Sequence, residues 1–250
     1  MPRLSKFAPK NKKAPPAPPL KLVKYWSYST WSMADECLAK YRYGVLEKKL
    51  YPQGTNAAME RGGVIHKQGE DYIDKKGGRV PVAYRLFADE LKAVKKLGGV
   101  AEPNYAFTSR WGLTSPTDWA NCWLRVKIDL ELITPDTGDV IDYKTGRQYD
   151  KKHKIQREIY GVAVYVKHGV PEVSAEHWYL DSGEVGTTRW DEKQLKALKK
   201  KWTAYGRELL ARKKFPAQPD VYGCKYCPFR SDKTLANDAK GPCDAWKKAK

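Results

Sequence analysis

Apolar side chains recur at helical spacing through the first part of the chain. One stripe predicts a first helix from about Ser29 or Thr30 to Leu50, which Ser29 would cap. Two further helices are predicted over residues 58–76 and 83–97, because each apolar stripe there ends at a pair of glycines, a typical helix stop. The N-terminal part of the chain is therefore predicted to be helical.

The repeat of apolar residues changes to every second position at residues 122–131. One face of this predicted strand is apolar and consists of Cys122, Leu124, Val126, Ile128 and Leu130. The alternate positions carry mostly polar side chains, among them Asp129. A Pro-Asp-Thr-Gly turn at residues 135–138 leads into a second strand from Val140 to Thr145, so the two strands are predicted to form a hairpin.

Helices and strands are predicted to alternate after this hairpin. A helix over residues 152–167 precedes strands at 172–180 and 186–190, and a long basic helix covers 191–214. This order predicts an α/β fold with a central mixed sheet flanked by helices, preceded by the N-terminal helices. The C-terminal tail, residues 216–250, contains three of the five cysteines.

The N-terminal segment, residues 1–20, has a different composition. It combines Pro-Pro-Ala-Pro-Pro with five Lys or Arg, which predicts a disordered basic arm. Residues 21–250 are predicted to form a single domain. The arm lacks the apolar stretch of a secretory signal, and no run of about 18 apolar residues exists, so we expect no membrane span and a cytoplasmic location.

Positive charge is concentrated at the two ends of the chain. The net charge is +18, from 47 Lys and Arg against 29 Asp and Glu. Residues 25–190 account for only +2 of this, because 24 basic side chains there face 22 acidic ones. This distribution favours a polyanionic partner, nucleic acid first, and solubility alone is the alternative.

The predicted hairpin carries the candidate chemistry. Asp142 and Lys144 are two residues apart, so both point to one face of their strand, and Asp129 lies on the polar face of the preceding strand. Two carboxylates suit Mg²⁺ or Mn²⁺, and an adjacent lysine can orient a water or stabilise a phosphate. An ion pair on a solvated strand would give the same pattern.

Four motifs occur in the order and spacing of a known family. They are Arg61-Gly-Gly-Val-Ile-His66 with Glu70 one turn later, Asp129, Asp142-Tyr-Lys-Thr-Gly146, and Gln156-Arg-Glu-Ile-Tyr160. Together they resemble the PD-(D/E)XK nuclease superfamily, in particular its RecB-like exonuclease branch, which includes phage exonucleases, CRISPR-associated exonucleases and the AddB nuclease domain. The resemblance covers most of residues 25–245 and implies a restriction-endonuclease-like core.

The resemblance also implies a role for each motif residue. The implied ligands of Mg²⁺ or Mn²⁺ are His66, Asp129, Asp142 and the backbone carbonyl of Tyr143. Lys144 is expected to activate the attacking water. Gln156 and Tyr160 are expected to hold DNA or orient Lys144, and Glu70 to support the site or simply to be exposed. Family members often have glycine two residues before the second-motif aspartate, where this chain has Lys127.

The function that the resemblance implies is a metal-dependent DNA exonuclease leaving 5′-phosphates. Its setting would be recombination, repair or phage DNA processing, with proteins of recombination or replication as partners. One alternative is a DNA-binding or assembly protein on a nuclease fold with weak cleavage. Another is a role in CRISPR adaptation, in which cleavage depends on partner proteins.

The cysteines predict a second metal site. An odd number of them without a secretory signal argues against disulfides, and Cys224-Lys-Tyr-Cys227 suggests metal or redox chemistry. The resemblance implies that Cys37, Cys224, Cys227 and Cys243 hold a [4Fe-4S] cluster, with zinc or no metal as the alternatives. Cys122 lies on the apolar strand face and is expected to be core.

Overall fold

The computed structural model describes residues 23–49, 57–75 and 78–249, and the predicted basic arm lies outside them. The first helix, α1 (Tyr28–Glu36), begins one residue after Ser27, whose side chain caps it in a reciprocal capping box with Thr30. The prediction that Ser29 caps this helix was therefore wrong.

The predicted first helix is also interrupted. Cys37 has extended backbone angles, φ −168° and ψ 123°, and separates α1 from α2 (Leu38–Tyr41). One π-helical turn, Arg42–Leu46, follows. The apolar stripe does not reveal this break, because Ala34, Ala39 and Tyr41 are buried on both sides of it.

The next two helices pack on one face of the large sheet. They are α3 (Ala57–Asp74) and α4 (Ala88–Lys96), and a 3₁₀ helix at Val82–Phe87 replaces the first third of the predicted third helix. Tyr84 and Phe87 are both buried at a spacing of three residues, which matches the three-residue turn of a 3₁₀ helix.

The strands form a five-stranded and a three-stranded sheet. The large sheet has the order β1-β5-β6-β7-β8 and the small one β3-β2-β4. The strand bounds are Val100–Ala101 for β1, Asn104–Phe107 for β2, Leu113–Thr114 for β3, Leu124–Lys127 for β4, Leu130–Ile133 for β5, Thr137–Lys144 for β6, Glu172–Tyr179 for β7 and Glu184–Asp191 for β8. Strands β6 and β7 pair in parallel, and the other neighbours are antiparallel, so the sheet is mixed as predicted.

The predicted strand at residues 122–131 is two strands in two different sheets. Strand β4 ends at Lys127 and β5 begins at Leu130. The link between them is hydrogen-bonded to the link between β1 and β2: Ile128 N–H donates to Pro103 O at 3.1 Å, and Glu102 N–H donates to Asp129 O at 2.9 Å. Both segments therefore pass from one sheet to the other at the same place.

Helices cover both faces of the large sheet. Helix α5 (Asp150–His168) connects β6 to β7, and α6 (Glu192–Ala211), capped by Asp191, packs beside it. One apolar cluster lies between these helices, α1 and the sheet, and a second lies between α3, α4 and the opposite face. The predicted α/β fold with a central mixed sheet flanked by helices is confirmed.

The C-terminal tail contains only one short α-helix among the described residues, α7 (Val221–Tyr226). A 3₁₀ turn at Ala245–Lys248 follows. Within the part of the chain that the structure describes, none of the helices combines the length and the apolar character needed to cross a bilayer.

Candidate active site

The crossing between the two sheets brings acidic side chains together. Asp129 lies in the link between β4 and β5, and Glu102 lies in the adjacent link between β1 and β2. Asp129 Oδ2 accepts a hydrogen bond of 2.7 Å from the backbone N–H of Tyr143 on β6. Because the N–H and C=O of one strand residue point to the same side, the carbonyl of Tyr143 also faces Asp129.

Helix α3 places His66 beside these carboxylates. His66 Nδ1 lies 3.1 Å from Asp129 Oδ1. The helix can approach the sheet this closely because residue 69 is glycine: a Cβ there would collide with the ring of Tyr84 and stand 3.0 Å from the ring of Tyr143. The position of His66 therefore depends on a residue without a side chain one turn further along.

Glu102 completes a group that the sequence did not predict. Ligand atoms of His66, Glu102 and Asp129 all lie within 4.8 Å of one another. Glu102 has a left-handed backbone, φ 52°, and no motif or spacing singles it out. It forms an ion pair with Lys127, the residue that stands in the place of the family's glycine.

Asp142 is buried on β6, at 3% exposure. Its Oδ1 accepts a hydrogen bond of 2.8 Å from Gln156 Nε2. Its Oδ2 lies 2.6 Å from Lys144 Nζ and 3.5 Å from His177 Nε2, and it receives no hydrogen bond of acceptable geometry. The alternative of an ion pair on a solvated strand does not hold, because Asp142 is buried beneath α5.

Gln156 links the motif residues of β6 and α5. Its amide donates to Asp142 and, at 2.9 Å, to the hydroxyl of Tyr160, while its carbonyl accepts from Lys144 Nζ at 2.9 Å. Burial and the charge of Asp142 hold the pKa of Tyr160 well above its ordinary value, so the hydroxyl stays protonated. These bonds fix Lys144 and Asp142 relative to each other.

His177 of β7 is a second contact that the sequence did not predict. Arg157 Nη1 donates to His177 Nδ1 at 2.8 Å, and an arginine can only donate, so the ring proton is on Nε2. Nε2 faces Asp142 Oδ2. Burial, with Lys144 and Arg157 nearby, lowers the pKa of His177 to about 2, so the ring is neutral.

The acidic groups shift the pKa values of their neighbours. Burial raises the pKa of Asp142 to about 6; the charge of Asp129 adds to this rise, and Lys144 offsets only part of it. Burial lowers the pKa of His66, but the hydrogen bond and charge of Asp129 outweigh burial and raise it above its ordinary value. The rise for His66 reflects the negative charge of Asp129, and the rise for Asp142 reflects mainly its burial, so a bound cation would favour the charged form of Asp142.

Glu70 lies at the entrance to this site and not in it. It is one turn beyond His66 on α3 and forms an ion pair of 3.0 Å with Lys67. It lines the same surface depression as His66, Glu102 and Asp129. The structure thus gives it no hydrogen bond to a predicted ligand.

The donor set fits a hard divalent cation. The group within 4.8 Å combines the imidazole of His66 with the carboxylates of Glu102 and Asp129, and oxygen-rich donors suit Mg²⁺ and Mn²⁺. Asp142 lies outside that group, buried beside Lys144. Glu102 Oε2 and Asp142 Oδ2 are buried and lack a hydrogen bond of acceptable geometry, and each is paired with a lysine ammonium, Lys127 or Lys144. Buried carboxylate oxygens of this kind are suited to binding a cation.

The four predicted cysteines line one cavity, between the α1–α2 junction and the C-terminal tail. They are Cys37, Cys224, Cys227 and Cys243, all of them half-buried free thiols. The sulfurs of Cys37 and Cys224 each accept a backbone N–H at 3.4 Å. Burial raises the pKa of the Cys227 thiol, and the nearby Cys243 and Cys37 add to the rise.

Cys122 is separate from this cavity. It is 1% exposed and packs at the start of β4, as predicted for a core residue. Among the described residues, no three cysteine sulfurs lie within 4.8 Å of one another.

Comparison with known proteins identifies the family. The model of the PD-(D/E)XK nuclease superfamily matches residues 83–231, which is more than half of the 250-residue chain. The chain belongs to the PD-(D/E)XK nuclease superfamily. Membership implies a phosphodiesterase that uses divalent metal ions, and the matched range includes Asp129, Asp142 and Lys144 but not His66.

No curated protein matches the chain in sequence. A solved structure titled "Crystal structure of SSO0001" is similar to it, at 14% sequence identity and a TM-score of 0.30. That similarity covers 68% of this chain and 94% of the other.

Proposed function

We propose that this protein is a Mg²⁺- or Mn²⁺-dependent deoxyribonuclease, and specifically an exonuclease of the RecB-like branch. The observation that carries the proposal is the convergence of His66, Glu102 and Asp129 beside a buried Asp142–Lys144 pair. Recombination, repair or phage DNA processing is its proposed setting, with partners from those pathways, in the cytoplasm. Residues 21–250 are proposed to act as one nuclease domain.

The proposed ligands are His66, Asp129, Asp142, the carbonyl of Tyr143 and, in addition to the sequence-based set, Glu102. When bound, the ion would supply charge stabilisation to the phosphate and lower the pKa of a water. Asp129 is held in place by the Tyr143 N–H, and Asp142 by Gln156, so two of the carboxylates are oriented before any ion arrives.

Lys144 is proposed to orient the attacking water and to stabilise negative charge on the phosphate. Its ammonium donates to Gln156 Oε1 and forms an ion pair with Asp142, and an ammonium has three N–H donors, so donor capacity remains for a further partner. The side chain is 22% exposed. Gln156 and Tyr160 keep the ammonium in this position and do not themselves need to touch the scissile phosphate.

Cleavage of end-labelled DNA tests this proposal. Wild-type protein should degrade single- or double-stranded DNA with Mg²⁺ or Mn²⁺ and not with EDTA, and Asp142→Ala and Lys144→Ala should abolish cleavage. Asp136→Ala, an exposed aspartate in the β5–β6 turn, is the matched control and should cut normally. Cleavage close to the wild-type rate by either site variant would refute the assignment, and binding without cleavage by the wild type would favour the assembly-protein alternative.

We further propose that the four cysteines bind a [4Fe-4S] cluster. A tetrahedral zinc site with Zn–S bonds of about 2.3 Å would hold its sulfurs about 3.8 Å apart, whereas no three of these sulfurs lie within 4.8 Å of one another. A cluster accepts a wider spacing because each thiolate binds a different iron. Backbone N–H groups directed at two of the sulfurs also suit a cluster.

Metal analysis of anaerobically purified protein tests the cluster. Brown protein with about four iron and four sulfide per chain is expected, and Cys227→Ala should lose both. Cys122→Ala is the matched control and should stay brown. Colourless protein with about one zinc per chain would replace the cluster by zinc, and colourless metal-free protein would remove this site without affecting the nuclease proposal.

A further inference from the structure

A groove runs along β4 beside the metal-ligand cluster, which consists of His66, Glu102 and Asp129. Its walls are the first turn of α1 on one side and Tyr160 of α5 on the other, and its floor includes Arg125 and Lys127 of β4. Lys127 also lines the depression that contains His66, Glu102 and Asp129. The groove and the candidate active site therefore meet at Lys127.

Beside the groove, Trp119 and Tyr25 form an aromatic pair whose ring planes are tilted by 55°. Trp119 is 54% exposed, whereas each of the other eight tryptophans is buried or half-buried. Its ring centroid lies 5.4 Å from that of Tyr25, which lines the groove. The guanidinium carbon of Arg125 stands 4.9 Å from the centroid of Trp119 and 5.9 Å from that of Tyr25.

The loop that carries Trp119 is ordered by its own hydrogen bonds. Asp118 accepts the backbone N–H groups of Ala120 and Asn121 at 3.2 Å, and its other oxygen accepts the hydroxyl of Thr114 at 2.8 Å. An exposed indole on a braced loop presents a rigid apolar surface without a large loss of conformational entropy on binding. Because the side chain of Trp119 stays 54% exposed, burial in the hydrophobic core does not explain why a tryptophan stands at this position.

Arg125 has charge to offer a ligand. Among the described residues no carboxylate pairs with its guanidinium, and its contacts are the two aromatic rings. Along the same strand, Lys127 is 64% exposed and directs its ammonium towards Glu102. Two cations two residues apart on one strand share a face, so both line one path towards His66, Glu102 and Asp129, and along it Arg125 keeps its charge unpaired among the described residues.

We propose that this groove binds an unpaired DNA strand, with a base stacked on the exposed ring of Trp119 and a backbone phosphate on Arg125. Aromatic platforms joined to a basic track are how proteins hold single strands, because every base has a π-face and every nucleotide a phosphate. In a duplex the base faces are already stacked, so the platform selects an unpaired strand. The inference rests on the proposed nuclease function and adds the strand's path to it.

Fluorescence anisotropy with a labelled oligo-dT of about 12 nucleotides, in EDTA so that no strand is cleaved, tests the groove. Trp119→Ala should weaken oligo-dT binding by about five- to 100-fold, since one stacked base is lost. It should leave binding of an abasic strand of the same length and binding of a dA–dT duplex unchanged. Trp119→Phe should recover part of the loss.

Arg125→Gln tests the phosphate contact separately. It should weaken oligo-dT and abasic strands equally and reduce the log–log salt slope by about 0.7 for each phosphate released. Tyr222→Ala removes an exposed aromatic side chain outside the groove, and Arg79→Ala an exposed arginine outside it; both should bind like the wild type.

The outcomes separate this inference from the proposed function. If wild-type protein cleaves DNA but Trp119→Ala binds oligo-dT as tightly as wild type, the groove is refuted and the nuclease stands. Equal weakening on oligo-dT and abasic strands by Trp119→Ala also refutes stacking. If wild-type protein neither binds nor cleaves DNA, both proposals fall.

Discussion

Asp142 is surrounded by polar and charged side chains, yet its ionised form remains unfavourable in the folded protein. Lys144 and Gln156 contact it, His177 faces it, and Asp129 lies close enough to raise its pKa. A carboxyl with a pKa of about 6 in the folded chain, against 3.8 ordinarily, favours the protonated form on folding. The charged form of Asp142 is therefore disfavoured in the metal-free protein, at a residue proposed to bind the metal.

This unfavourable ionisation predicts that Asp142→Asn stabilises the metal-free protein. Between about pH 4 and pH 6 the folded state binds more protons than the unfolded state, so the Asp142 contribution to stability falls as pH rises and is lowest above pH 6. A shift of about two pKa units corresponds to about 3 kcal/mol. Thermal unfolding in EDTA at pH 8 should show a higher Tm for the variant.

Metal-linked stability separates this effect from a general gain. Mg²⁺ or Mn²⁺ should raise the Tm of wild type and not that of Asp142→Asn, because the variant loses a ligand. Asp136→Asn, in the exposed β5–β6 turn, should change neither value. A lower Tm for Asp142→Asn in EDTA would show that the Lys144 pair outweighs burial.

The motif residues could be predicted from sequence, and their contacts could not. Asp129, Asp142 and Lys144 belong to short motifs whose spacing along the sequence can be recognised without knowledge of the fold. Glu102 and His177 reach the site through the pairing of distant segments, and no local pattern marks them.

At the scale of elements, period and burial were predictable but strand partners were not. Every apolar position of residues 122–131 is buried as predicted, yet the segment forms β4 in one sheet and β5 in the other. The alternation of buried and more exposed side chains continues through the crossing, where Ile128 is 0% exposed. Only the hydrogen bonds to residues 102–103 divide the strand, and these depend on tertiary structure.

The packing of α3 predicts opposite effects for two glycines of one helix. Gly69→Ala should destabilise the protein and reduce metal affinity, because its Cβ would collide with Tyr84 and push His66 away from Asp129. Gly63→Ala meets no atom within 4 Å and should stabilise the protein by about 0.5–1 kcal/mol through helix propensity. Denaturant unfolding and metal titration measure both.

The two glycines act as matched controls for each other. Equal stabilities for the two variants would mean that α3 can shift without cost, and the close approach would not position His66. Normal metal affinity in a destabilised Gly69→Ala would separate helix packing from ligand placement.

At the scale of the whole molecule, the cysteine cavity joins the beginning and the end of the described chain. Cys37 lies at the α1–α2 junction and Cys224 in α7, and Leu38 N–H donates to Gln218 Oε1 at 2.8 Å between them. A cluster bound there would close a loop through almost the entire fold, and cross-links over long loops remove the most entropy from the unfolded chain.

The proposed cluster predicts a non-additive pair of variants. Cys37→Ser and Cys224→Ser should each lower the Tm by several degrees through loss of the cluster. The Tm of the double variant should equal that of the less stable single variant, because the cluster can be lost only once. Additive losses in anaerobic thermal melts would mean that the cysteines stabilise the chain separately.

The proposed ligands come from α3, both links at the sheet crossing, and β6, and Asp142 is faced by His177 only after β7 has paired in parallel with β6 across α5. Parallel pairing across a long crossover is intrinsically slow, since the loop must close before its contacts form. We therefore expect a newly made chain to complete the proposed site late in folding, and partly folded copies to lack the proposed cleavage activity.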